Sequence, residues 1–373
     1  MDELAVQLDL DPVELRRINE SKTDATGKAW SSRSLMKCYD AAAERFGWNK
    51  RDPKPASMRD GDWLVGWGCA SAVYPTHLCA ATARVQLLAT GKAQVLIAAH
   101  EIGTGVRTVV AQIAAERLGI PVSAVTVETG DSKLPPSPVA GGSNQTASCC
   151  SVVMKACDAI MAKLVGPPTT TGSGSFGGEK LEDKFKRLGV GAIEEYAEFL
   201  PPEGKSDTIK KLYAGTPLLG GGSKGEKLMY AFGAEFIEVR IHARTREIRV
   251  PRMVGAFAAG RIMNTRTARS QYLGAMIWGV SSALHEATEI DARVARYIND
   301  NLADYSMPVN ADIAEVEVIL IPEKDDIVNP VGVKGIGELG NVGTAAAVAN
   351  AVYHATGVRV RQLPIRLEKL LGA

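Results

Sequence analysis

Val333-Lys334-Gly335-Ile336-Gly337-Glu338-Leu339-Gly340-Asn341-Val342-Gly343-Thr344 runs straight into an alanine-rich stretch, Ala345 to Tyr353. Glycines ahead of a helix let backbone amides approach a ligand with no Cβ in the way. The helix N-terminus adds unpaired N–H donors and a partial positive charge. The segment is therefore expected to hold an anion. Its one carboxylate, Glu338, has two readings. It is either a charge favourably placed near the positive end of the following helix dipole, or a general base kept from water beside a bound anionic cofactor.

Gly335-x-Gly337-x-x-Gly340 also spells the dinucleotide fingerprint, which carries meaning only after a strand and with an acidic residue about 20 positions on. Here Asn329-Pro330-Val331-Gly332 precedes it, and no Asp or Glu stands between Glu338 and Glu368. A nicotinamide site of the Rossmann type is set aside on that context.

Working outward, three more loops share the character of the first. An apolar run, Ala93 to Ala99, leads into His100-Glu101-Ile102-Gly103-Thr104-Gly105 and then a helix carrying Val109, Val110, Ile113, Ala114 and Leu118. The long polar loop from Gly130 to Ser148 ends in Gln145-Thr146-Ala147-Ser148, at the head of a helix read as starting around Ser148. Arg261 to Gln271 opens a third helix, with Leu273, Met276, Ile277, Val280 and Leu284. Its arginines run against the dipole preference unless something negative sits there. Several such loops from distant parts of the chain suit one large ligand with several anionic groups.

Composition narrows the classes. Among 373 residues, Lys plus Arg number 43 against 42 for Asp plus Glu, so no overall field favours nucleic acid, and no basic stripe is interleaved with aromatics. The six cysteines include no C-x-x-C, which speaks against a zinc or iron–sulfur site on this chain, and Cys149 and Cys150 read as buried small residues. No apolar run approaches ~20 residues, so neither a membrane span nor a signal peptide is expected.

In order along the chain, residues 1–59 read as connecting helices: a capped start at Asp11-Pro12, then a helix from about Ser32 that closes at Phe46 and Trp48. Residues 60–165 carry strands over Leu64–Ala72, Ala81–Leu88, Ala93–Ala99 and Val125–Thr129. Residues 166–225 read as a flexible, peripheral insertion, and residues 226–373 as a second half. That half opens with a hairpin in which Ile237, Val239 and Ile241 face inward and Glu238, Arg240 and His242 form a wet face. A further strand is expected over Glu315–Ile321.

The residues quoted so far resemble the molybdenum-binding subunit of the xanthine dehydrogenase and aldehyde oxidase family. The carriers are Lys334-Gly335-Ile336-Gly337-Glu338-Leu339-Gly340, Ile102-Gly103-Thr104-Gly105, Asp11-Pro12-Val13-Glu14-Leu15-Arg16, and Gly260-Arg261-Ile262-Met263-Asn264 through Gln271 with Gly274-Ala275. The likeness is strongest to bacterial three-subunit aldehyde oxidoreductases and weakest over Gly166 to Gly225. It implies an α+β fold of mixed sheets and helices: a C-terminal cofactor-binding domain built of two α/β halves. The implied cofactor is molybdopterin cytosine dinucleotide, with the metal held by the pterin dithiolene. Partner subunits are expected to bring a 2Fe-2S centre and FAD, in a cytoplasmic enzyme, or a periplasmic one exported with a partner.

By the same resemblance Glu338 is the general base, taking a proton as a molybdenum-bound hydroxyl attacks an aldehyde carbonyl or an electron-poor ring carbon; water is the oxygen source. Cofactor contacts are implied at Ile102, Gly103 and Thr104, and at Gln145, Thr146 and Ala147. They are implied as well at Arg261, Ile262, Met263, Asn264, Thr265, Arg266, Thr267 and Gln271, and at Lys334, Gly335, Ile336 and Gly337. Thr104 stands where many relatives carry glutamine. A further half with a Gly-Gly-Phe-Gly-Gly type loop and much of the substrate funnel is expected outside these residues, on a preceding segment or another chain. Alone, the chain is expected to be inactive. The competing class is a non-catalytic scaffold that binds partner chains.

Overall fold

A computed structural model describes residues 1–165, 180–205, 207–216 and 220–371. The chain opens with α1 (Asp2–Gln7) and α2 (Pro12–Ile18), the latter capped by Asp11, whose carboxylate accepts from Val13 N and Glu14 N. After α3 (Leu35–Phe46) come strands β1 (Trp63–Pro75), β2 (Ala81–Leu88) and β3 (Ala93–Leu96). Next are α4 (Val106–Leu118), β4 (Val125–Glu128), α5 (Gln145–Val165) and α6 (Leu181–Leu188). Then follow β5 (Ala192–Phe199), α7 (Thr208–Tyr213), β6 (Tyr230–His242), β7 (Ile248–Ala258), α8 (Thr265–Leu284), β8 (Ile313–Leu320) and α9 (Thr344–Thr356).

Two sheets carry the fold, each mixed. A four-stranded sheet has the order β4-β3-β2-β5, with β3 and β4 parallel. Its core joins Val85, Leu87 and Val95 to Val109 and Ile113 of α4 and to Val153 and Ile160 of α5. The other sheet runs β8-β7-β6-β1, with the short strand Arg59–Asp60 at its edge and β7 parallel to β8. The mixed α+β class read from the sequence is the class observed.

Three expectations need correction. The division at 60 and 226 does not follow the sheets, because β1 pairs along its whole length with β6. The segment read as a peripheral insertion supplies β5, which pairs with all of β2, while Phe185 of α6 is buried in the same core. Alternating apolar residues at Ile193 and Ala197 mark that strand. Gly166 to Gly178 lies outside the described residues. Finally, the face of β6 read as wet is closed at Glu238, beyond the part covered by α3, while Arg240 and His242 stay partly exposed. Glu238 is 7% exposed, accepting from Trp67 Nε1 at 3.0 Å and pairing with Arg252 at 3.1 Å and Arg240 at 3.2 Å. Glu238 stays buried because it is paired, and period-two alternation cannot distinguish a paired charge from a solvated one.

The opposite face of this sheet receives α9, and two glycines let it come close. A Cβ at Gly66 would lie 2.7 Å from Ala355 Cβ and nearer still to Ala351 O. One at Gly68 would run into Ala347 O and lie 2.9 Å from the carbonyl carbon of Asn350. The helix thus rests directly on the β1 backbone. His354 Nδ1 accepts from Trp67 N at 3.0 Å, and Asn350 Nδ2 donates to Cys69 O at 3.1 Å. Gly68→Ala should cost about 1–3 kcal/mol, because the obstacle is backbone and cannot rotate away. Urea denaturation reads this, and an unchanged midpoint would show that α9 is free to shift.

Glu235 of β6 points at the start of α9 and is fully buried. Its Oε2 is in hydrogen-bond contact with Thr344 Oγ1, which itself donates to Gly340 O at 2.9 Å. One hydroxyl proton cannot serve both acceptors, whereas a neutral Glu235 resolves the conflict by donating to Thr344. Burial, opposed by hydrogen bonds from Thr344 and the Gly343 backbone, pushes its carboxyl up to about 8. Unfolded, a glutamate titrates near ~4.3, so between the two values the native state holds an extra proton and stability falls as pH rises. Glu235→Gln mimics the neutral form. Its stability relative to wild type should grow by up to about 1.4 kcal/mol per pH unit from pH 5 to 8 and level off above. Thermal melts across that range would refute this by a pH-independent difference.

Candidate functional site

Four segments meet around a cavity of about 320 Å³: Ile102 with Thr104, residues 140–147, Arg261 to Gln271, and Val333 to Glu338. All the residues singled out from the sequence line it except Gly103, Thr265 and Arg266. Thr265 and Arg266 are exposed in the first turn of α8, and Gly103 is exposed in its loop. Helices α4, α5 and α8 all begin at this cavity, and α9 begins six residues after Glu338.

Not every helix end is left open for an anion. At α4, Glu101 turns back to accept from Gly103 N at 3.0 Å, Gly105 N at 2.9 Å and Arg107 N at 3.2 Å. Desolvation opposes its ionisation, but the three amides and Arg107 outweigh it and hold the carboxyl below its ordinary value. At α8, Asn264 is the N-cap, its oxygen accepting from Arg266 N at 3.0 Å and Thr267 N at 3.1 Å. Arg261 pairs with Glu116 of α4, so the arginine at the cavity already has a protein carboxylate. The α5 end differs. Its helix starts at Gln145, three residues before the expected Ser148, and Ser148 N makes the first intrahelical bond, to Asn144 O at 3.1 Å. The amides of Gln145, Thr146 and Ala147 precede that bond and have no intrahelical acceptor; their residues line the cavity.

The glycine loop is shaped by protein contacts. A Cβ at Gly335 would lie 2.6 Å from Ser143 Cβ, and one at Gly337 would lie 2.7 Å from Ser143 Oγ. Gly337 N donates to that same Oγ at 2.9 Å. Gly340 packs against Tyr272, and Gly343 against Glu235. These glycines let the loop nest against residue 143, α8 and β6. Lys334 lines the cavity, but its ammonium is buried away from it against Glu323 at 2.9 Å and Asp325 at 3.1 Å. Its contribution to the cavity is backbone.

Glu338 is half-buried on the cavity wall, and its Oε2 accepts from the hydroxyl of Tyr74 on β1. It does not cap α9, whose N-cap is Gly343, so the carboxylate faces a phenol and the cavity. Burial first, then the hydrogen bond to Glu338, push the Tyr74 phenol up to about 12. Tyr74 therefore remains a donor throughout the neutral range.

Three buried polar atoms on residues lining this cavity have no partner among the described residues: Thr104 Oγ1, Asn144 Oδ1 and Gln145 Nε2. Each costs about 1–3 kcal/mol unless a ligand satisfies it. Donors, acceptors and a free helix N-terminus together call for a polar, partly anionic ligand. Residues 41–314 match the model of the molybdopterin cofactor-binding domain. The chain belongs to that family. Such a cofactor fits the unsatisfied donors and acceptors just described. The aldehyde oxidoreductase molybdenum-binding subunit PaoC of Escherichia coli K12 is 38% identical over 376 residues, spanning 100% of this chain and 49% of that protein. The xanthine dehydrogenase molybdenum-binding subunit of Escherichia coli O157:H7 is 29% identical, spanning 99% and 50%. Among solved structures, the aldehyde oxidoreductase of Desulfovibrio desulfuricans superposes with a TM-score of 0.80 at 24% identity, over 100% of this chain and 39% of that one. The chain thus spans about half the length of the curated relatives it matches.

Two residues of this cofactor-binding domain escaped the sequence reading. Tyr74 sits at the end of a strand, 264 positions from its carboxylate partner, where no local pattern signals it. Ser143 lies in the polar loop already quoted, and only its position just ahead of Gln145 hinted at a role. The nesting of Ser143 against Gly337 is testable by a double-mutant cycle. Gly337→Ala should destabilise the chain by roughly 1–3 kcal/mol, and most of that cost should vanish in a Ser143→Ala background, where the obstructing Oγ is gone. Additive effects of the two substitutions would disprove the contact.

Proposed function

We propose that this chain is the cofactor-binding portion of a molybdenum hydroxylase that oxidises aldehydes or N-heterocycles with water as the oxygen source, Glu338 being the general base. The observation that carries the reading is the Glu338 carboxylate on the cavity wall, anchored by Tyr74 through Oε2, its one side-chain hydrogen bond among the described residues. The cofactor, molybdopterin cytosine dinucleotide, would supply the metal centre that accepts the substrate's electrons. Everything else falls to side chains and amides of this chain.

The α5 amides of Gln145 to Ala147 would receive anionic oxygens, and Thr104 Oγ1, Asn144 Oδ1 and Gln145 Nε2 would meet the ligand's polar edges. Ile102, Ile262, Met263, Asn264, Thr267 and Gln271, with the backbone of Lys334 to Gly337, would complete the walls. Because Tyr74 already donates to Oε2, a proton taken by Glu338 goes to Oε1, so base and proton have fixed addresses. A fixed carboxylate loses less freedom on reaching the transition state than a mobile one. The names of the relatives describe subunits, which supports partners here as well: an iron–sulfur subunit, an FAD subunit and whatever supplies the other half of the domain pair. Without that half the chain should bind cofactor incompletely and turn nothing over.

Combined with the completing half and its partners, the Glu338→Gln variant should retain wild-type molybdenum per chain yet lose at least about 10²-fold in kcat. Tyr74→Phe should retain the metal and lose less. Metal analysis and steady-state oxidation of an aromatic aldehyde provide the check. Turnover that survives Glu338→Gln would remove the assignment of the base, and absence of pterin from the completed wild type would remove the function.

A further inference from the structure

Behind the cavity, three ionic side chains are almost completely closed off from water. Lys334 and Asp325 have side-chain exposures of 0%, and Glu323 of 3%. The ammonium of Lys334 reaches Glu323 Oε1 at 2.9 Å, Asp325 Oδ2 at 3.1 Å, Tyr230 O at 2.8 Å and the hydroxyl of Ser32. An ammonium has three protons, so these acceptors use it fully and leave nothing for a ligand in the cavity.

The two acids hold backbone from different directions. Glu323 Oε1 also accepts from Gly260 N at 3.1 Å. Asp325 accepts from Ile327 N at 3.0 Å, Val328 N at 3.2 Å and the hydroxyl of Ser31 at 2.6 Å. Gly260 and Val333 form a bridge, with Arg261 N donating to Gly332 O at 2.7 Å and Lys334 N to Ala259 O at 3.2 Å. Gly260 takes a φ of +64°, and a Cβ there would run into Gly332 O. The cluster therefore stands at the root of two cavity walls, the segment entering Arg261 and the loop entering Glu338.

We propose that the buried Lys334–Glu323–Asp325 cluster clamps these two walls to each other, so that Lys334 is a positioning residue for bound cofactor and not one of its ligands. The inference rests on the cofactor reading of the cavity. A buried cation between two carboxylates is a costly way to obtain stability, since apolar residues of similar size often do as well. Removing either partner leaves a buried charge uncompensated. What the arrangement supplies is direction. The ammonium tolerates only the geometry that satisfies both acids, and that geometry reinforces the backbone bridge joining the residue 260 and residue 334 segments.

The test uses the cofactor-free chain first. Hydrogen exchange should be at least tenfold faster at the amides of 260–264 and of 334–338 in both Lys334→Met and Glu323→Gln, with β2 and α4 unchanged. Acceleration in only one of the two walls, in neither, or uniformly along the chain would overturn the clamp. If Lys334→Met does not fold, Glu323→Gln decides alone, because it keeps both the Lys334–Asp325 pair and an acceptor for Gly260 N. The second measurement is pterin and molybdenum retained per chain after gel filtration of protein completed by its partners. A clamp lowers retention in both variants together. An ammonium acting as a direct ligand would make Lys334→Met fall while Glu323→Gln, which loosens the ammonium, holds or gains, and that split would overturn the proposal. A wild type that retains no pterin would sink the proposed function, while the exchange measurement would still judge the clamp.

Discussion

The architecture depends on one close approach, that of α9 to the backbone of β1. Gly66 and Gly68 remove the side chains that would hold the helix away, and Ala347, Ala351 and Ala355 answer from the helix side. Once the helix lies there, its own polar groups can bond to the strand, as His354 and Asn350 do with the backbone of Trp67 and Cys69. The loop that precedes α9 has little freedom left. Its end is pinned at Thr344 by Glu235, and its start at Lys334 by two buried acids. Glu338 sits between these pins and meets Tyr74, a residue of the same strand on which the helix rests. The strand that fixes the helix also fixes the carboxylate.

Around the cavity the chain divides its polar groups into those it satisfies itself and those it leaves. The ends of α4 and α8 are closed by Glu101 and Asn264. Left over are the α5 end and three buried atoms on Thr104, Asn144 and Gln145. A protein interior rarely tolerates such remainders, and these three all belong to residues of the cavity wall. That selectivity narrows ligand recognition to one side of the cavity more tightly than counting glycine loops would. It separates groups that support the walls from groups that face the ligand.

Much of this was legible in the sequence, though for partly different reasons. All four wall segments stand out as glycine-rich or polar loops ahead of apolar-periodic helices, and that pattern is local. What the glycines do is not local. Gly335 and Gly337 are small because Ser143 is there, Gly340 because Tyr272 is there, and nothing nearby in sequence reveals either neighbour. Lys334 is implied as a cofactor contact by the resemblance alone, and nothing local shows that the buried acids at 323 and 325 claim its ammonium. Tyr74 was invisible because strands advertise their faces and not their distant partners. The strand at 192–199 was lost in a stretch whose glycine- and charge-rich surroundings outweighed two alternating apolar residues. The burial of Glu238 was hidden because pairing by Trp67 and two arginines leaves no mark on the alternation.

The strand order β8-β7-β6-β1 also sets a sequence of events. β1 has no partner in its sheet, apart from the two-residue edge strand, until β6 has been made, and residues 63–75 then pair with residues 230–242. Contacts so distant along the chain are slow to close and leave a strand edge exposed in the interval. The α4 and α5 layer has most of its sheet available much earlier. The cavity draws one wall pair from that early layer and the other from segments after residue 260. The cavity therefore has only one of its two wall pairs in place until the segment before α9 has folded onto β1.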